Sequence, residues 1–224
     1  MPSYLPCVEI EPRRTATASV IFLHGLGADG HDFEPAVPIF ALPWARFILP
    51  HAPSLPVTIN GGLVMPAWYD IRTLDFDPRS GRENEAHIRA SAAAIADLIR
   101  RENARGIPSH RIVLGGFSQG GAMALFTGAR HPDRLAGILV LSAYELLPDH
   151  RDEHTDANAD TPILFCHGRH DPLVPMFAGQ AAYESVCRPG RDVRWHDFPI
   201  QHEVSLPELQ TVAAWLHQRL PEET

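Results

Sequence analysis

No lysine occurs anywhere in this 224-residue sequence; all 19 basic residues are arginine. That absence excludes a Schiff-base lysine, a P-loop lysine and a serine–lysine dyad. Cysteine is also scarce. Cys7, Cys166 and Cys187 are odd in number and lack metal-ligand spacing, so reduced thiols in a cytoplasmic protein are expected rather than a disulfide framework. Positive charge is in deficit, with a formal net charge of −8. This argues against a nucleic-acid surface and against stable association with anionic membranes. No apolar run is long enough to span a bilayer, and the start, Met1 to Pro6, has neither the basic nor the apolar region of a signal peptide. Repeats and low-complexity tracts are missing as well. What remains is a chain with 45% apolar residues, read as one globular domain over 1–224 with a large core.

The most informative stretch is Gly115-Gly116-Phe117-Ser118-Gln119-Gly120-Gly121. It follows the apolar run Arg111–Leu114 and precedes the helix-forming run Ala122–Thr127. Ser118 therefore sits at a strand-to-helix turn in a G-x-S-x-G pattern, the nucleophile elbow. Such a turn lifts one hydroxyl clear of the sheet at a strained backbone angle. Strand and helix then pass so closely that Gly116 and Gly120 can carry no side chain. The Gln119 N–H and the positive end of the new helix face the space beside the hydroxyl, as an oxyanion requires.

A second glycine pattern, Gly25, Gly27 and Gly30 after the strand-like run Ala18–Leu23, spells G-x-G-x-x-G. Dinucleotide binding also needs an acidic residue at the end of the next strand, and none occurs between Glu34 and Asp70. The rival reading is a loop whose backbone N–H groups, chiefly that of Leu26, face the active site as the second oxyanion donor. A plain tight turn is the third.

Further strands are expected at Cys7–Ile10, Ala45–Leu49, Leu135–Leu141, Pro162–Cys166 and Val193–Phe198, and helices at Glu83–Asn103, Met176–Val186 and Leu206–Leu220. Apolar strands alternating with helices predict an α/β fold: a mostly parallel sheet covered on both faces, with no separate cap domain. Between Ala52 and Arg82 no helical or strand period is found; Pro53, Pro56, Pro66 and Pro78 interrupt it. This long insert is read as a rim or partial lid, with Leu63, Met65 and Trp68 as apolar contacts to substrate.

A serine hydroxyl needs a histidine base, and the histidine a carboxylate. In chain order the acid should follow a strand after the elbow. Asp171 fits, just past Cys166; Asp197 falls inside the last strand and fits less well. The base should lie in the loop after the last strand, where His202 fits. His196 alternates within a strand and His217 lies on the last helix, while His167 and His170 precede the acid. No H-E-x-x-H pattern is present, and neither a metal nor a cofactor is expected.

These segments together resemble the phospholipase/carboxylesterase family of α/β-hydrolases, which includes acyl-protein thioesterases and small bacterial esterases. The resemblance is carried by Phe22-Leu23-His24-Gly25-Leu26-Gly27, Pro66-Ala67-Trp68-Tyr69-Asp70, Gly115 to Gly121, and His167-Gly168 with Asp171-Pro172-Leu173-Val174-Pro175. It implies a catalytic triad of Ser118, Asp171 and His202, an oxyanion hole from the N–H groups of Leu26 and Gln119, and Trp68 lining the pocket. Val174 is taken as a further substrate contact. The chain departs from the family at Gln201, where glycine commonly precedes the histidine; a different backbone angle or a narrower site is the expected consequence. The implied activity is hydrolysis of carboxylic esters, or thioesters, of short to medium acyl chains in a permanently open cleft. Lysophospholipase, acyl-protein thioesterase and acyl transferase activities are alternatives on the same triad, and a non-catalytic ligand-binding protein is the rival from another class. The partner expected is a small ester, with a homodimer left open.

Overall fold

A computed structural model of the chain describes residues 4–77 and 80–222. The start of the chain, Met1–Ser3, and Pro78 lie outside the described residues. Seven strands form one sheet: β1 (Cys7–Ile10), β2 (Ala18–Leu23), β3 (Ala45–Pro50), then β6 (Ile112–Phe117), β7 (Gly137–Leu141), β8 (Ile163–Gly168) and β9 (Val193–Phe198). Two further strands, β4 (Ser54–Val57) and β5 (Leu63–Pro66), form a separate antiparallel hairpin. The order across the large sheet is β1-β3-β2-β6-β7-β8-β9; β1 runs antiparallel and every other neighbour is parallel.

Strands buried on both faces read as continuous apolar runs, and β2 is buried at every residue. Alternate side chains point to opposite faces. Ile21 and Leu23 enter one core cluster, and Val20 and Phe22 the other. The first cluster is closed by α2 (Glu85–Ala104), α3 (Gln119–Arg130) and α4 (Met176–Val186), through Ile88, Ile95, Met123 and Ala182. The second is closed by the short α1 (Val37–Phe40) and by α5 (Leu206–Arg219), through Phe40, Val212, Trp215 and Leu216.

The insert departs from expectation. It contains the hairpin β4–β5, although Pro56 and Pro66 argue against strand. The pair is isolated, so a proline facing away from its single partner removes no ladder hydrogen bond. Its turn is made by Gly61 and Gly62, at φ 67° and 80°. The hairpin points Leu63 and Val64 into solvent, each 63% exposed, so Leu63 is not the wall residue it was expected to be.

Candidate active site

The C-terminal ends of β2, β6, β8 and the loop after β9 converge at one edge of the sheet, where ligands bind in open parallel sheets. At the end of β6 the chain reverses through Ser118, with φ 56° and ψ −121°. A non-glycine residue is rarely found there, and the strain is of order 1–3 kcal/mol. The surrounding packing enforces it. A Cβ on Gly116 would meet the Gly120 carbonyl carbon at 2.4 Å, and one on Gly120 would meet the Leu23 oxygen at 2.2 Å. The Ser118 N–H donates to Leu141 O at 2.8 Å, pinning the turn to β7.

His202 comes from the loop between β9 and α5. That loop docks on the segment after β8 through Arg169 N–H to Phe198 O (2.8 Å) and His170 N–H to Ile200 O (3.0 Å). Gln201 does not take a positive φ, and its side chain is exposed; the non-glycine residue before the histidine is accommodated without a special backbone angle.

His202 Nδ1 lies 2.6 Å from Asp171 Oδ2, and Nε2 lies 2.8 Å from Ser118 Oγ. An ionised carboxylate only accepts, so Nδ1 carries the proton and Nε2 offers its lone pair to the serine hydroxyl. The second carboxylate oxygen, Oδ1, accepts the N–H groups of Leu173 (2.9 Å) and Val174 (2.8 Å). Burial alone would raise the Asp171 pKa; the hydrogen bonds from His202 and from the Val174 and Leu173 amides outweigh it, and the pKa is lowered. Phe117, the residue before the serine, packs its ring 4.8 Å from the imidazole of His202.

A cavity of about 240 Å³ opens beside Ser118. Leu26, Gln119 and Val174 line it, together with Ile59, Ile71 and Leu74. Gln119 is the first residue of α3, so its N–H belongs to the unbonded first turn. The loop bearing Leu26 is held by Gly27 N–H to Pro66 O at 2.9 Å. It is held also by His24, whose Nδ1 donates to Gly25 O (2.7 Å) while Nε2 accepts the Ala52 N–H (3.0 Å). Burial lowers the pKa of His24, which suits this neutral tautomer. No helix opens at Gly25–Gly30; the next helical turn starts at Glu34.

Two expected wall residues lie elsewhere. Trp68 is fully buried and does not line the cavity. Its indole N–H donates to His24 O (2.9 Å), its backbone N–H to Gln119 Oε1 (2.7 Å), and its carbonyl accepts from Ser91 Oγ (2.6 Å). It stays in the interior because every polar atom it carries finds a partner there. Met65 is half-buried beside Gly27, with its sulfur accepting from Asn60 Nδ2 at 3.3 Å; it braces the loop and is outside the cavity lining.

The rival acid and bases are occupied otherwise. Asp197 pairs with Arg169, and His217 bonds Phe40 O at 3.0 Å. His167 is buried against Trp195, with Nε2 2.9 Å from Val174 O. Burial pushes the Cys166 thiol well up, away from nucleophilic use. His24 and Phe117 are marked in sequence only by adjacency to the two glycine motifs. Tyr69, a residue of the Pro66–Asp70 segment in the insert, does line the cavity, as do Tyr144 and Arg82, which no local motif marks.

The sequence profile of the phospholipase/carboxylesterase family matches residues 6–220. An acyl-protein thioesterase 1 from Neurospora crassa is 43% identical over 215 residues, which cover 92% of this chain and 88% of that protein. One from Gibberella zeae is 41% identical over 215 residues, 92% of each. Among solved structures, acyl-protein thioesterase 2 from Zea mays superposes with a TM-score of 0.84 at 28% identity, over 97% of this chain and 100% of that one. Matched along nearly its whole length in sequence and in backbone, the chain belongs to the phospholipase/carboxylesterase family of α/β-hydrolases.

Proposed function

We propose that the protein hydrolyses small carboxylic esters, and thioesters of the same size, through an acyl group carried on Ser118. The observation that carries the reading is the continuous relay from Asp171 through His202 to Ser118, at 2.6 and 2.8 Å. In this reading His202 Nε2 removes the hydroxyl proton as Ser118 Oγ attacks the acyl carbon. Asp171 stays ionised and stabilises the imidazolium that forms. The N–H groups of Leu26 and Gln119 take the oxyanion. His202 then returns its proton to the leaving alcohol or thiolate, and activates the water that releases the acid. Each step uses a group of the chain itself or water.

The size of the cavity, about 240 Å³, and its apolar lining favour short to medium acyl groups in soluble esters. A second reading, release of acyl groups from protein thioesters, is supported by the two fungal relatives, both named acyl-protein thioesterases. We also propose a cytoplasmic location; the three cysteines are all unpaired, and among the described residues no helix is long and apolar enough to cross a membrane.

The test is covalent labelling. A fluorophosphonate should attach once, at Ser118, and abolish ester hydrolysis. Asp171→Asn should slow labelling and hydrolysis together by about 10³- to 10⁴-fold, because the histidine then loses its tautomer. Labelling at another residue, or an Asp171→Asn enzyme within tenfold of wild type, rejects the assignment.

A further inference from the structure

The cavity beside Ser118 has a neighbour of about 290 Å³. Among the described residues, Arg82 and Tyr144 alone line both. The order of contacts places their side chains between the two. Tyr69 lines the near cavity and not the far one, and its hydroxyl bonds that of Tyr144 at 2.8 Å. Against the Tyr144 ring lies the Arg82 guanidinium, its carbon 4.5 Å from the ring centroid. Nearer still, at 3.6 Å, is the ring of Phe76, which lines the far cavity and not the near one.

This partition is buried and held. Arg82 and Tyr144 are each 6% exposed. Ring faces attract the cation, and Arg82 Nε lies 3.1 Å from Glu83 Oε1, so the charge is already paired. Both cavities offer apolar surface to a hydrocarbon tail. Ile59, Ile71 and Val174 line the near one, and Leu147, Phe177 and Ala182 the far one. Glu145, which also borders the far cavity, is paired with Arg151. A tail that crossed would gain buried surface. It would first have to part the guanidinium from Glu83 and leave both charges uncompensated, which is costly in a buried place.

We infer that Arg82, backed by Tyr144, is a specificity-determining residue: it is the end wall of the acyl pocket and sets the longest acyl chain accepted. The inference rests on the proposed esterase reading and gives that reading its upper size limit. The chemistry at Ser118 is unchanged; the wall meets only the far end of the tail. Removing it joins the two cavities and more than doubles the space open to an acyl group. Arginine suits a wall that apolar tails must not pass, because its charge persists at any working pH and its planar fork stacks flat on the rings.

The experiment measures kcat/KM for p-nitrophenyl decanoate and p-nitrophenyl butyrate, both below their micelle thresholds, in wild type, Arg82→Ala and Arg82→Met. Methionine refills the space without the charge. Both variants leave Glu83 unpaired, so the comparison between them isolates space from charge. The wild-type ratio of decanoate to butyrate should lie below one. Arg82→Ala should raise it about 10-fold or more, the gain from burying about two further methylenes, and Arg82→Met should stay within about threefold of wild type. A wild-type ratio above one, a ratio unmoved by Arg82→Ala, or one raised as much by Arg82→Met overturns the inference. An equal loss on both esters is the mark of a merely structural residue and overturns it too. In each of these cases butyrate turnover with Ser118 labelled upholds the esterase reading; absence of turnover on both esters in wild type, with Ser118 unlabelled, overturns both. Should Arg82→Ala fail to fold, Phe76→Ala removes a half-buried ring and frees the guanidinium to swing away from the partition. It should raise the ratio by a smaller factor, and an unmoved ratio there overturns the inference.

Discussion

The elbow and the insert border the same cavity, yet they are held there by different forces. The elbow is fixed sterically. Gly116, Gly120 and Leu23 approach so closely that no Cβ fits between them, and Ser118 is driven into a strained angle as a result. The insert seats Trp68, Tyr69 and Ile71 in the core, and its polar groups are tied by single bonds from distant parts of the chain: Gln119 to Trp68 and Tyr69, Ser91 to Trp68, Trp68 to His24. Close packing leaves a group no second position, whereas a hydrogen bond can be lost one at a time. The reacting atoms thus sit where backbone contacts backbone, and the insert is tied through side chains whose loss can be tested one at a time.

The contrast is broken most severely at Gly120. Gly120→Ala places a Cβ 2.2 Å from Leu23 O and 2.6 Å from His24 O. Backbone cannot step aside as a side chain can, so a loss of about 3 kcal/mol or more is expected. The elbow and the Leu26 loop shift together, and kcat should fall about 100-fold. Thermal unfolding and ester turnover measure both. A mild phenotype would mean that the elbow is as adaptable as the insert.

A second test concerns the far end of the His202 loop. There Ser205 and Glu208 form a capping box at the start of α5, a polar anchor on the sterically fixed side. Burial raises the Glu208 pKa to about 7, against the opposing backbone hydrogen bond from Ser205. The folded state therefore binds this proton more tightly than the unfolded one. The stability it contributes is full below the ordinary glutamate range and is lost as pH rises through about 7. Glu208→Gln keeps the box and removes the charge. It should raise the unfolding free energy at pH 8 by up to about 3 kcal/mol and change it little at pH 4. Denaturant titrations at the two pH values report the difference, and equal effects at both would refute the buried-charge account.

The smallest effect belongs to the insert. Ser91→Ala leaves the Trp68 carbonyl without its 2.6 Å donor and should cost about 1 kcal/mol. Urea unfolding measures it. A loss as large as that at Gly120 would place the insert among the rigid parts of the site.

The same division explains what could be read from the sequence. Ser118, Asp171 and His202 were legible because their constraints are local. Each sits in a short connection after a strand, and the glycines beside the serine record a collision between adjacent segments. β6 and β8 run past the apolar stretches that end at Leu114 and Cys166, because Gly115, Gly116 and Gly168 look like turn residues although they pair in the sheet. The insert is hard to read for the opposite reason. Trp68 looks like a wall residue until Gln119, Ser91 and His24 are known to surround it, and nothing near it in sequence announces them. Arg82 likewise meets the Phe76 and Tyr144 rings only in the fold.

The sheet's central pairing also has a temporal side. β2 lies directly against β6, with Ser19 opposite Ile112 and Leu23 opposite Gly116. The Leu26 loop and the elbow leave the ends of these two strands. Closing so long a stretch of chain is entropically slow. As the polypeptide emerges from a ribosome, β2 must wait for nearly half the protein to be made before its central neighbour exists, and His202 arrives later still. A nascent chain that ends before β6 holds the Leu26 loop without the elbow, and one that ends before His202 holds both without their base, so hydrolytic competence should arise late, with the closing of the whole sheet.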